Sequence, residues 1–294
     1  MSIRILSDFD GVWTDQALEA LAVKVFLAAE AGRLAGVSAD EAHEHFQAFE
    51  ARVKAEPHAY GWAPDGRITA YVDEDPFCEA NAIASYIARA DEVGDECARK
   101  YRDAIQADGH ELAAFANRCF MTATADYRNE HPPALVGDAL ASLEALHDAG
   151  AEVVVVSNSV AEKIIGWFRG AGIDAGEDDH HLVRVRGQAG KQTIGESDAQ
   201  IQVAGRGIYV DRPKYRAVIE AENPDVIIGD VFSLDLALPH VMRGEGHPAA
   251  PDVLVLRRHR HTPEWVLADR CGGAIDEVVD SVGDLVGLTE RLRA

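Results

Sequence analysis

Residues 3–15 read Ile-Arg-Ile-Leu-Ser-Asp-Phe-Asp-Gly-Val-Trp-Thr-Asp. Ile3–Leu6, interrupted only by Arg4, is short, apolar and β-branched, and it runs out into a polar turn containing Gly11. A run of this kind reads as a parallel strand covered on both faces. Val153–Val156, Val226–Ile228 and Val253–Leu256 share the pattern. Helical patterns lie between these runs. Ala139–Ala149 ends at Gly150, a suitable C-cap. Val160–Arg169 follows the second run, and Tyr215–Glu222 precedes the third. Strand–helix alternation predicts right-handed βα units and an α/β fold built on a doubly wound parallel sheet.

Roughly 145 residues separate the first and second strands, far more than the dozen or so that a crossover needs. An inserted domain is expected, and its composition is mainly helical. Gln16–Ala35 is long and Ala-rich. Ser38–Ala55 opens with Ser38 as N-cap and Glu41 three residues on, a capping box. Asp75-Pro76 opens a helix running to about Ala90. Asp95–Ala107 and His110–Thr124 are two more. His131–Pro133 closes the insert as a linker. Residues 16–131 are therefore expected as a helical cap, with 1–15 and 132–294 as the α/β core. Tyr60–Asp75 is the one long nonhelical stretch of the cap. In the core, His181–Arg186 and Ile201–Val210 are each expected as a strand, and Glu177–His181 as a solvated charged turn. The C-terminal stretch Ile275–Arg293 is expected to close the core as a strand end and a helix.

Composition narrows the function. The 294 residues are 47% hydrophobic and 27% charged, ordinary for a globular protein. The formal net charge is −22. A field of that sign repels polyanions, which argues against nonspecific nucleic-acid or anionic-membrane binding. An anionic substrate remains compatible, because a metal or local cations can invert the field inside a cleft. Cys78, Cys97, Cys119 and Cys271 lack metal-like spacing and read as small buried hydrophobes. No signal-like or membrane-length apolar run is present, so a cytoplasmic location is the default expectation. Oligomeric state is not legible.

Chemistry-bearing residues collect where strands end. The first strand delivers Asp8-Phe9-Asp10-Gly11. Side chains alternate along a strand, so Asp8 and Asp10 can share one face. Its C-terminal end is the edge where open α/β sheets bind ligands. Two carboxylates there repel unless a cation or proton lies between them, and Gly11 permits an unusual backbone turn. The second strand ends Ser157-Asn158-Ser159, a hydroxyl and backbone N–H groups before a helix, which can cradle phosphate or simply cap the helix. The third ends Gly229-Asp230 with Asp235 five residues later, hard oxygen ligands of the kind Mg²⁺ takes. Lys214 precedes the helix that feeds the third strand and can offset anionic charge. Lys191, after Gly190, is the competing lysine.

These parts, in this order and each at a strand end, resemble the four-part signature of the haloacid dehalogenase (HAD) superfamily. The resemblance covers residues 1–15 and 134–260, and the insert falls where that superfamily carries a C1-type helical cap. It implies a Mg²⁺-dependent phosphohydrolase. Asp8 is then the nucleophile that forms an aspartyl-phosphate, and Asp10 the general acid and base. Asp8, the Asp10 backbone carbonyl and Asp230 hold Mg²⁺, and Asp235 orients a metal-bound water or Lys214. Ser157, Asn158 and Gly11 contact the phosphate, and Lys214 offsets the accumulated charge. Asp10 argues against the dehalogenase branch, which lacks this second Asp. Trp13 stands where relatives commonly carry a small aliphatic residue, Lys214 lies close to Asp230, and 176–203 is long for a minimal core. The cap is expected to supply specificity for a small phosphorylated metabolite, with Trp62, Arg67 or Tyr71 facing it. The alternatives are a phosphomutase of the same superfamily, a phosphonatase using a cap amine such as Lys24 or Lys54, and a noncatalytic binding protein that kept the fold.

Overall fold

The structure is a computed structural model that describes residues 2–131 and 134–294. Two compact units make up the chain: Met1–Asp15 with Pro133–Ala294, and Gln16–Pro132. Of the expected linker His131–Pro133, the two prolines lie outside the described residues.

The first unit is an α/β domain. Its strands are β1 (Ile3–Asp8), β4 (Ala151–Val156), β5 (Ala175–Gly176), β6 (Val183–Arg186), β9 (Val226–Gly229), β10 (Val253–Arg257) and β11 (Glu277–Val279), separated in sequence by β2 (Gly61–Trp62), β3 (Ala70–Tyr71), β7 (Gln200–Val203) and β8 (Arg206–Tyr209). The seven form one sheet in the order β11-β10-β9-β1-β4-β6-β5, with every pairing parallel. The chain leaves β1 toward β4 on one side and later returns to lay β9 on the other. β1 thus stands at the point where strand order reverses, the place where such sheets open a crevice at their C-terminal edge. Register fixes what reaches that edge. Asp8 lies opposite Val156, and Ser7 opposite Ile228, so Asp8, Ser157 and Asp230 leave the sheet at one level.

All four strands expected from the apolar runs are present, each a residue or two longer. Arg4 is tolerated in β1 because its side chain donates to the Glu222 carbonyl and pairs with Glu152 at 3.2 Å. Helices Ala139–Asp148, Ala161–Gly170 and Pro213–Glu222 match the three periodic stretches between the strands. Ile201–Val210, expected as one strand, is instead most of an antiparallel hairpin, β7 with β8. Its turn residues Ala204 and Gly205 have φ of 49° and 78°. Positive φ at two consecutive positions is what a tight two-residue hairpin turn demands, and an Ala at the first of them hides the signal.

The second unit is mainly helical: Ala17–Ala35, Ala39–Ala55, Cys78–Ala88, Ala90–Val93, Glu96–Ala107 and Leu112–Glu130. Ser38 caps the second by accepting from the Glu41 N–H at 3.2 Å, and Asp95 caps the fifth by accepting from Ala98 at 3.0 Å. The helix expected from Asp75 begins later, at Cys78, because Asp75 turns back to accept from the Phe77 N–H at 2.8 Å. The 60–75 stretch carries the short hairpin β2–β3, where Gly61 is obligatory: a Cβ there would meet the Ala70 carbonyl oxygen at 2.1 Å. Phe46, Phe49, Tyr86 and Tyr101 pack edge-on or tilted at 5.4 to 5.8 Å at the centre of this unit's own core. Among the described residues, no helix is long and apolar enough to cross a membrane.

Trp13 belongs to the α/β core. It is fully buried, donates from Nε1 to the Ser7 hydroxyl at 2.9 Å, and meets Phe168 edge-on at 5.7 Å. Phe9 adds contacts to Trp167 and Phe168. The aromatic that is unusual in sequence is therefore packing, and it pins the turn after β1. Trp13→Ala is expected to cost about 3–5 kcal/mol in equilibrium urea unfolding; a change below about 1 kcal/mol would show that the turn holds without it.

Candidate active site

Asp8, Asp230 and Asp235 each offer a carboxylate oxygen within 4.8 Å of the others, the one such grouping of three or more potential metal ligands among the described residues. Separate local structures deliver them. Asp8 is the last residue of β1. Asp230 follows β9 directly, and Gly11 makes room for it: Gly11 has φ of +77°, and a Cβ there would stand 1.9 Å from Asp230 Oδ2. Asp235 is brought back to the same edge by a single π-helical turn, Phe232–Leu236, a feature frequent at functional sites. Its Oδ2 accepts from the Val231 N–H at 3.1 Å, and its backbone carbonyl accepts from Tyr215 at 3.0 Å. Gly229 lies against it, since a Cβ at 229 would meet Asp235 Cβ at 2.3 Å.

The lysine of the site is Lys191. Its Nζ lies 2.5 Å from Asp8 Oδ1 and 2.8 Å from Asp235 Oδ1, and the residue is only 2% exposed. This corrects the expectation for Lys214, which is exposed and lays its stem against Gly190. The physical reason is the β7–β8 hairpin. It is inserted between Lys191 and the helix Pro213–Glu222, so the residue next to that helix is displaced from the edge and the residue before the insertion occupies it. Lys191 is clamped by its backbone: its N–H donates to Asn158 Oδ1 at 2.8 Å, and its carbonyl accepts from Arg212, whose Nε also donates to the Tyr209 carbonyl at 3.2 Å. Arg212 is fully buried.

Electrostatics follow from this crowding. Burial raises the Asp8 pKa, Asp235 and Asp10 raise it further, and Lys191 opposes them; the result is about 8. Burial works against the Lys191 charge, but Asp235 and Asp8 outweigh it and move its pKa upward. Lys191 therefore stays charged, and one lysine cannot neutralise three carboxylates.

Other expected residues are placed as follows. Asp10 is half-buried and close enough to raise Asp8, but its side chain is outside the three-carboxylate group. Ser157 is buried, and its hydroxyl accepts from the Ser159 N–H at 3.1 Å. Asn158, expected to contact the phosphate, uses its side-chain oxygen to accept from the Lys191 backbone N–H. In the helical unit Trp62 is partly buried in β2, its carbonyl accepting from Thr69, and Tyr71 is buried. Arg67 pairs with Asp65, Nε to Oδ2 at 3.0 Å.

Two site residues are absent from the expectations drawn from sequence. Arg212, in sequence, is one more cation beside a proline. His259 has Nε2 3.6 Å from Asp230 Oδ2 and stacks on His261 with ring centroids 5.0 Å apart. Burial first, and then His261 and Arg257, push its pKa down to about 4. Its position just past β10 was the available signal, because the neighbouring strand ends at this edge carry site residues.

The residues fit a divalent cation. Three carboxylates converge, Gly11 leaves room for the Asp230 carboxylate among them, and the donors are hard oxygens, which suit Mg²⁺. Asp8, Asp230 and Asp235 are the side chains that would hold it.

No protein-family model and no curated protein matches the sequence. Among solved structures, the chain is similar to the magnesium-bound HAD-hydrolase YfnB of Bacillus subtilis, with 12% identity, 98% of each chain covered and a TM-score of 0.44. It is similar to a HAD phosphatase of Thermococcus onnurineus, with 15% identity, 98% of this chain and 97% of that one covered, and a TM-score of 0.45. It is also similar to a 2-haloacid dehalogenase of Pseudomonas syringae pv. Tomato, with 14% identity, full coverage of both chains and a TM-score of 0.42.

Because the folded pKa of Asp8 lies above its ordinary value of 3.8, its contribution to stability is complete below about pH 4 and is lost as pH rises through about 8. In chelator, the melting temperature of the protein is expected to fall between pH 5 and pH 8, and less so with Mg²⁺ or in Asp8→Asn. A scan in which chelator, Mg²⁺ and variant curves share one slope would show that Asp8 is not perturbed.

Proposed function

We propose that the chain is a divalent-cation-dependent phosphohydrolase, using Mg²⁺ by resemblance, that turns over a small phosphorylated metabolite through an aspartyl-phosphate. The observation that carries this is the setting of Asp8: half-buried at a strand end, 2.5 Å from Lys191, and within 4.8 Å of two further carboxylates. Such a carboxylate is a well-held nucleophile once its charge is offset.

An Asp8 oxygen attacks phosphorus in line, and the bond to the leaving oxygen breaks. Asp10 gives that oxygen its proton. Asp10 then takes a proton from the water that attacks the aspartyl-phosphate, which restores Asp8 and releases phosphate. Asp8 must be ionised to attack, and Lys191 lowers the cost of that charge. Lys191 also faces the negative charge that a phosphoryl group brings, so it is the residue best placed to stabilise the transition state. A bound cation would supply further neutralisation of the phosphoryl oxygens. Ser157 and the backbone N–H groups of the following turn offer donors to those oxygens.

Two competing readings lose support from particular residues. Asp10 has no task in dehalogenation. A phosphonatase needs an amine of lowered pKa in the cap. Lys24 pairs with Glu50 at 3.0 Å and also with Glu79, and Lys54 pairs with Glu50 and Glu79 at 2.5 and 2.7 Å. Burial works against the Lys54 charge, but these hydrogen bonds outweigh it and hold its pKa up. A phosphomutase shares the Asp8/Asp10 pair, and transfer of phosphate within a sugar phosphate, in place of release, would identify it.

With p-nitrophenyl phosphate and Mg²⁺, Asp8→Asn is expected to lower kcat by about 10³-fold or more with an unchanged circular dichroism spectrum. Lys191→Met is expected to lose about 10²–10³-fold, and Lys214→Ala to stay within about 2-fold of the parent. Turnover that survives Asp8→Asn, or a Lys214 variant worse than the Lys191 variant, would contradict the assignment.

A further inference from the structure

His259 has no task in the chemistry above, yet it adjoins the carboxylate group. Its Nε2 is buried without a hydrogen-bond partner, 3.6 Å from Asp230 Oδ2. The ring is held from several sides. Its own backbone N–H donates to the Thr262 hydroxyl at 2.7 Å, the ring stacks on His261 with an interplanar angle of 4°, and the imidazole is hydrogen-bonded to the backbone at Gly11. A buried polar atom normally finds a partner, in protein or in ordered water. Six oxygen ligands at about 2.0–2.1 Å from a small cation place neighbouring ligands about 3 Å apart. A water beside Asp230 in such a shell can therefore come within hydrogen-bond reach of a nitrogen 3.6 Å from the Asp230 oxygen.

We propose that His259 is a positioning residue of the metal centre: its Nε2 accepts a hydrogen bond from a cation-bound water next to Asp230. This rests on the metal centre proposed above. The role accounts for Gly11 serving two neighbours, giving Asp230 its space and His259 a backbone anchor. Groups that orient a metal's ligands in this way support its affinity although they never touch it.

The test is calorimetric titration of chelator-stripped protein with Mn²⁺ and with Mg²⁺. His259→Ala is expected to weaken both by about 10–100-fold, with the melting temperature of the cation-free protein within about 2 °C of the parent. His259→Gln, which keeps a polar acceptor on a side chain of similar reach, is expected to recover most of the affinity. Unchanged affinity in His259→Ala overturns the proposal. So does a loss that Gln does not relieve and that accompanies a lower cation-free melting temperature, because that marks a packing role. Failure of the metal centre itself looks different: the parent protein then binds neither cation, and the role of His259 falls with it.

Discussion

Like charge gathered at the end of a buried sheet is the constraint on which the rest depends. Asp8, Asp230 and Asp235 lie within 4.8 Å of one another, and the last two are buried. Left alone, such a group would protonate or push apart. Lys191 answers part of the charge by bridging Asp8 and Asp235, and the remainder fits a divalent cation. The proton that Asp8 holds up to about pH 8 is a second answer, and the two compete for one carboxylate. In the proposed reaction, what destabilises the resting site is what receives a phosphoryl group.

Holding the cluster takes backbone devices of high cost. Gly11 adopts φ of +77° and keeps clear of Asp230. One π-helical turn returns Asp235 to the edge, and Tyr215 donates to its carbonyl from the adjoining helix. Asn158 and Arg212 grip the backbone of Lys191, one at its N–H and the other at its carbonyl. Each device joins two elements of the sheet edge, so the site is a property of the whole strand order. Trp13, packed on Phe168 and hydrogen-bonded to Ser7, anchors the turn that carries the first of them.

The sheet was legible because its four central strands are continuous apolar runs, too short for buried helices and bounded by polar turns. Asp8, Asp230 and Asp235 were legible for a related reason: they lie at or just past strand ends, and register does the rest. Lys191 was not, because its place is fixed by contacts from Asn158, 33 residues earlier, and Arg212, 21 residues later. A rule based on distance to the next helix selects Lys214 instead. The β7–β8 hairpin that causes the displacement has a turn beginning with Ala204, without the usual Asn or Asp. His259 was hidden among basic neighbours in Arg257-Arg258-His259-Arg260-His261, where composition reads as a solvated loop.

The most direct measurement is a crystal structure of the protein grown with Mn²⁺ and read by anomalous scattering. A single strong peak at ligand distance, about 2.0–2.6 Å, from carboxylate oxygens of Asp8 and Asp230, with Lys191 still on Asp8, is the predicted result. A saturated crystal with no peak between these residues, or with their carboxylates turned away from each other, would contradict the account.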